Sequence, residues 1–165
     1  MNCIEQVLSR RSIRHVKKEP VSDSVLQNIL EAGRQAPSAT NIQPWHFVVV
    51  KDQNAKEAFS FGGFNSFTSD AAFIILGLYK PSESIIETLS LMDVTIALQN
   101  MVIAAWVQGV GSCWMGAFDE PKLRKALGLP ADSRIVGAVA FGVPDGNIPR
   151  PLKKPLDQIV HFDRW

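Results

Sequence analysis

Apolar positions along the chain change period several times. In CIEQVLSR, residues 3–10, Ile4, Val7 and Leu8 recur at helical spacing. In VSDSVLQNILEAGRQAPS, Val25, Leu26, Ile29 and Leu30 share one helical face, Ser22 is the candidate N-cap and Pro37 closes the pattern. WHFVVVKD and AAFIILGLY are β-branched and aromatic runs between breakers, the pattern of buried strands. Between them, NAKEAFSFGGFNSFTSD reads as a short helix followed by a glycine-rich turn. A long helical pattern runs from about Ser82 to Gln108, and its second half is apolar on nearly every side. GVGSCWMGAF reads as glycine punctuation leading into a short strand, ahead of the short helix EPKLRKALGL. RIVGAVAFGVP is a further buried strand, and RPLKKPLDQIVHFDRW is extended at its prolines with a short apolar pattern at its end.

Strands and helices do not alternate as regular βαβ units, so the expected fold class is α+β. With no internal repeat or long linker, residues 1–165 are read as one domain. A helix apolar all round belongs either in a large core or at an interface. A domain of this size encloses such a helix with difficulty, so a homodimer is expected, the alternative being a central helix packed under the sheet of a monomer.

Composition narrows the partners. A hydrophobic fraction of 46%, a charged fraction of 20% and a net charge of +1 fit a soluble globular chain and do not fit a protein that coats nucleic acid. Cys3 and Cys113 form no CxxC pair, and His15, His46 and His161 form no paired zinc motif, so no metal is expected. MNCIEQVLSRR lacks an apolar leader, and the runs Ala71–Tyr79 and Val94–Val107 fall short of the roughly 20 residues a spanning helix needs. A cytoplasmic protein that engages no membrane is the resulting expectation.

Four stretches could carry chemistry. In LSRRSIRHVKK, residues 8–18, Arg10, Ser12 and Arg14 alternate, so an extended segment points them to one side with Arg11 and Ile13 opposite. Guanidinium forks and a hydroxyl suit phosphate oxygens, although a solvated basic surface is the commoner reason for such a cluster. APSATNIQPWHF, residues 36–47, is a polar loop in which Asn41 and Gln43 offer donors and acceptors to a heterocycle edge; ordinary turn chemistry gives the same composition. GVGSCWMG follows a helix rather than a strand, which is the reverse of the dinucleotide-binding context, and Cys113 within it reads as a small core residue. PRPLKKPL, residues 149–156, is a second basic patch, and the two basic segments could meet around one phosphate.

Taken in order, SRRSIRHV, APSATNIQPWHFVVV, DVTIALQNMVIAAWVQGVGSCWMG and RPLKKPLDQIVHFDRW resemble the nitroreductase family of flavin enzymes along nearly the whole chain. The resemblance implies an α+β homodimer with FMN bound at the interface. It implies that Arg10, Arg11, Ser12 and Arg14 form the phosphate and ribityl segment, completed by Arg150, Lys153 and Lys154. Pro37, Ser38, Ala39 and Asn41 would line the flavin from the partner subunit, with Gln43 supporting that loop or the ring edge. Met115 and Gly116 would present a backbone N–H near flavin N5, and Asn65 is the candidate for a further polar contact. No catalytic side chain is implied. NADH or NADPH would reduce FMN, and a small acceptor such as a nitro compound or a quinone would reoxidise it in a ping-pong exchange. The rival reading is a flavin or nucleotide carrier or sensor without turnover. Where larger members have an acidic residue beside the N5 loop, this sequence has Met115, so only the backbone role transfers.

Overall fold

The computed structural model describes residues 3–165; Met1 and Asn2, where the segment read as lacking an apolar leader begins, lie outside them. Helix α1 (Cys3–Ser9) is followed by α2 (Asp23–Arg34), β1 (Trp45–Val50), α3 (Gln53–Glu57), β2 (Phe73–Tyr79), α4 (Glu87–Val107), β3 (Gly111–Met115), α5 (Glu120–Leu127) and β4 (Arg134–Gly142). Ser22 caps α2 as expected, its Oγ accepting from Val25 N at 3.4 Å. That helix ends at Arg34, short of Pro37, because the chain must turn into the loop that follows. Asp52 and Asp119 cap α3 and α5 in the same way, and Gly128 closes α5 in the left-handed conformation at φ 60°.

Two elements differ from their sequence patterns. Helix α4 begins at Glu87 rather than Ser82, since Pro81–Glu83 form a separate 3-10 turn and Ile86 is extended. GVGSCWMGAF does not merely lead into a strand, because Gly111–Met115 within it is the strand β3.

The four strands form one antiparallel sheet in the order β1-β2-β4-β3. Along β2, Phe73 and Ile75 face a core shared with Leu26 and Ile29 of α2 and with Leu98 and Met101 of α4. The alternate residues Ile74, Leu76 and Leu78 face a second core with Phe59 and Leu123. With both faces covered, every residue of β2 is buried, which is why its sequence is a continuous apolar run rather than an alternating one. Phe73 and Phe141 stack across β2 and β4 with ring centroids 4.9 Å apart.

Helix α4 runs across the sheet and carries apolar residues on two sides. Val94, Leu98, Met101 and Val102 are wholly buried, whereas Leu91, Met92, Ile96 and Val107 remain 40–50% exposed. The expectation that this stretch is too short to span a bilayer is corrected: at 21 residues α4 is long and apolar enough by length and composition alone. Its buried face instead fills the core under the sheet, where removing a side chain such as Leu98 costs about 2–5 kcal/mol.

Candidate functional site

After α1 the chain joins the edge of the sheet. Ile13 N donates to Ser112 O at 2.9 Å and Lys17 N to Val143 O at 2.9 Å, so residues 12–17 lie against β3 and the end of β4. The approach is close because glycine permits it. A Cβ on Gly111 would stand 2.6 Å from Ile13 Cγ1, and one on Gly142 would stand 2.9 Å from Val16 Cβ. Ile13, 3% exposed, is thereby seated inward, and alternation leaves Arg10, Ser12 and Arg14 on the other side.

Those three residues border one cleft of about 330 Å³, together with Arg11 and with Pro151 and Lys153 from the second basic segment. The two basic stretches therefore do meet. Among the described residues no carboxylate lines the cleft. The other tail candidates behave differently. Arg150 donates through Nη2 to Leu8 O at 2.6 Å, satisfying a carbonyl at the end of α1, and Lys154 does not border the cleft. Arg11 turns towards Trp106, its guanidinium carbon 5.6 Å from the ring centroid, and its Nε has no hydrogen-bond partner among the described residues.

The start of β3 adjoins this segment. Ser112 O faces residue 13, and alternation along a strand turns the backbone polar groups of Trp114 and Gly116 to the same outer edge. A Cβ on Gly116 would meet nothing within 4 Å, so the strand end opens on free space. Met115 is 2% exposed and sends its side chain into the second core, and the same alternation turns its backbone polar groups to β4, so of the pair Met115 and Gly116 only Gly116 presents its backbone at this outer edge. Asn65, left-handed at φ 61°, holds its Nδ2 between Ala117 O at 2.7 Å and Phe59 O at 3.4 Å. In this chain it ties the 61–64 turn to the segment after Gly116. Cys113 is buried as expected of a core residue. Burial pushes its thiol pKa up, and the positive charges of Arg14 and Arg10 pull it partly back.

The polar loop is built on other terms. Ser38 Oγ accepts from Gln43 N at 2.9 Å, Ser38 O from Asn41 N at 3.0 Å, and Asn41 O from Gln43 Nε2 at 3.3 Å. Gln43 thus supports the loop from within. Thr40, Asn41 and Gln43 all have positive φ, at 50°, 59° and 53°, a conformation that is a true outlier for a β-branched residue. Ala39 N donates to Asp93 Oδ1 on α4 at 3.1 Å. Pro37 and Asn41 are exposed, and no residue of the loop borders the basic cleft. Sequence reasoning passed over Asp93. Its signal was an acid set inside an otherwise apolar helix.

A sequence profile described as the nitroreductase family matches residues 7–61 and 61–143, which include the basic segment, the polar loop, α4 and β3. An NADH dehydrogenase from Thermus thermophilus is 32% identical over 191 residues, an alignment covering 93% of this chain and 92% of that protein. An FMN-dependent nitroreductase from Clostridium difficile superposes with a TM-score of 0.84 at 26% identity, covering 98% of this chain and 99% of its own. The NADPH:FMN oxidoreductase from Vibrio harveyi, in complex with NAD+, reaches a TM-score of 0.91 at 26% identity over 100% of this chain and 78% of its own. Profile, sequence identity and superposition each span most of the chain, and on that basis the chain belongs to the nitroreductase family.

Proposed function

We propose that this chain is an FMN-dependent oxidoreductase that takes electrons from NADH or NADPH and passes them to a small organic acceptor, such as a nitro compound or a quinone, by a ping-pong exchange. One observation carries the reading: Arg10, Ser12, Arg14 and Lys153 converge on a cleft that no carboxylate lines among the described residues, in the segment that pairs with β3 at Ser112. The donor set fits a phosphate. Two guanidinium groups offer planar forks, Ser12 a hydroxyl and Lys153 a point charge, and the arginines and the lysine are donors only. Gly116, at the outer edge, would offer its backbone N–H to the flavin ring. Pro37, Ser38, Ala39 and Asn41 would approach the ring from a second copy, with Gln43 holding their loop. When bound, FMN supplies the two-electron exchange between nicotinamide and acceptor.

A homodimer completes the proposal. Ile4, Val7 and Leu8 on α1 and Leu91, Met92 and Ile96 on α4 are exposed apolar side chains, as are Leu152, Phe162 and Trp165 in the last fifteen residues. Uncovered apolar surface of this extent supports burial against another copy. Two cysteines with no redox or metal spacing are consistent with the cytoplasm.

The purified protein should be yellow, and NADH or NADPH should bleach its flavin absorbance anaerobically, with recovery on adding a nitroaromatic or a quinone. A colourless protein that takes up no FMN overturns the reading. Tight FMN binding with no reduction by either nicotinamide favours the carrier reading instead.

A further inference from the structure

Asp93 is 5% exposed, and its two carboxylate oxygens have unequal surroundings. Oδ1 accepts the Ala39 N–H at 3.1 Å, while Oδ2 is sealed from solvent with no hydrogen-bond partner among the described residues. A buried acceptor left in this way is costly, and a carboxylate more so than an amide. Directly above it sits the loop in which Thr40, Asn41 and Gln43 are left-handed. Strain of that kind persists only where the surroundings over-determine the backbone. Within the loop, the anchors are Ser38 and Gln43; Ala39 N is the point where it is tied to α4.

We propose that Asp93 is the positioning residue of the flavin-facing loop. Its charge-assisted bond to Ala39 N holds residues 38–43 in the form in which Thr40, Asn41 and Gln43 are left-handed, and the cost of the orphaned Oδ2 is offset by the conformation this secures. An apolar residue at this helix position would pack at least as well but would offer the Ala39 N–H no acceptor and so release the loop. The inference rests on the reading that residues 37–41 face FMN. Its structural half, that Asp93 fixes the loop, is independent of any flavin.

The test uses the full-length protein with Asp93→Ala and Asp93→Asn, the latter retaining a carbonyl acceptor for Ala39 N–H. In protein freed of FMN, hydrogen exchange at the Ala39 amide and its loop neighbours should quicken about ten- to a hundredfold in Asp93→Ala. It should remain close to wild type in Asp93→Asn. The thermal midpoint of Asp93→Ala should hold or rise, because the buried orphan oxygen is gone. FMN added back should dissociate faster from Asp93→Ala, with a perturbed flavin absorbance band, and Asp93→Asn should restore both. An unchanged Ala39 amide in Asp93→Ala overturns the proposal, as does an equal rise in exchange throughout α2 and α4 with a falling midpoint. If wild type binds no FMN, the flavin reading fails, and the exchange comparison still decides the role of Asp93.

Discussion

Residues 10–16 and residues 37–43 are both polar stretches joining a helix to the sheet, yet they are held by different forces. The basic segment behaves as a short edge strand. Ile13 and Val16 are seated over Gly111 and Gly142, and the cations project outward from that apolar anchor. The loop has no apolar anchor of this kind. It is shaped by hydrogen bonds from Ser38, Gln43 and Asp93 and contains three left-handed residues that are not glycine. Where burial fixes the backbone, the outward side chains are free to serve a ligand and can be removed without unfolding. Where polar contacts fix it against strain, backbone shape and function are tied together.

The largest effects should separate the two regions. Arg10→Ala and Arg14→Ala should each weaken FMN binding by about 1.5–3 kcal/mol, the range for a charged hydrogen bond, which is roughly 10- to 150-fold in Kd. The thermal midpoint of the flavin-free protein should hardly move, since neither side chain anchors the segment. Isothermal titration with FMN and a melting scan decide this, and unchanged affinity in both variants breaks the assignment. Next in size is Gly111→Ala, whose added methyl would meet Ile13 Cγ1 at 2.6 Å. Overpacking there should cost about 1–3 kcal/mol and loosen FMN as the segment shifts. Gly116→Ala is its control, because nothing lies within 4 Å of that Cβ, and its stability should match wild type.

This contrast also explains which features could be read from the residues alone. The Arg10, Ser12, Arg14 alternation was legible because an edge strand obeys a two-residue period, and the Ser22 cap because it depends on its own neighbours. The start of α4 was misplaced because Pro81 opens a turn of its own before the helix begins. Strand β3 looked like punctuation because Gly111 is required by Ile13, a residue about a hundred positions away in sequence. Among the tail cations, composition could not distinguish Lys153, which reaches the cleft, from Arg150, which is committed to Leu8 O. The left-handed Thr40 and the buried Asp93 follow from how α4 passes beneath the loop, and no local pattern encodes that.

A smaller effect should carry the opposite sign. Thr40→Gly removes a β-branched residue from φ 50°. Relief of strain worth about 1–3 kcal/mol is set against the roughly 0.5–1 kcal/mol that glycine loses in entropy. The flavin-free protein should therefore unfold at equal or slightly higher denaturant concentration, while FMN dissociates faster from a loop that no longer favours one shape. A clear loss of stability would place the loop with the segment as an ordinary packed element.

The smallest effect uses Cys113 as a reporter of the first region. Burial holds its thiol pKa above the ordinary range, and Arg14 and Arg10 reduce that rise. The folded value thus lies above the unfolded one. The stability due to the neutral thiol is complete below the ordinary thiol pKa of about 8.5 and is lost as pH rises from there through the folded value. Cys113→Ala should remove this alkaline slope without altering flavin turnover. Removing either arginine takes away a charge that favours thiolate, so the folded pKa should move higher and the alkaline slope should extend further. Thiolate absorbance followed against pH, with Cys113→Ala as the blank, measures the shift. Asp93→Asn and Thr40→Gly should leave it in place, since they act on the loop. A thiol that ignores the arginine variants but follows the loop variants would reverse the comparison, making the loop the region coupled to β3.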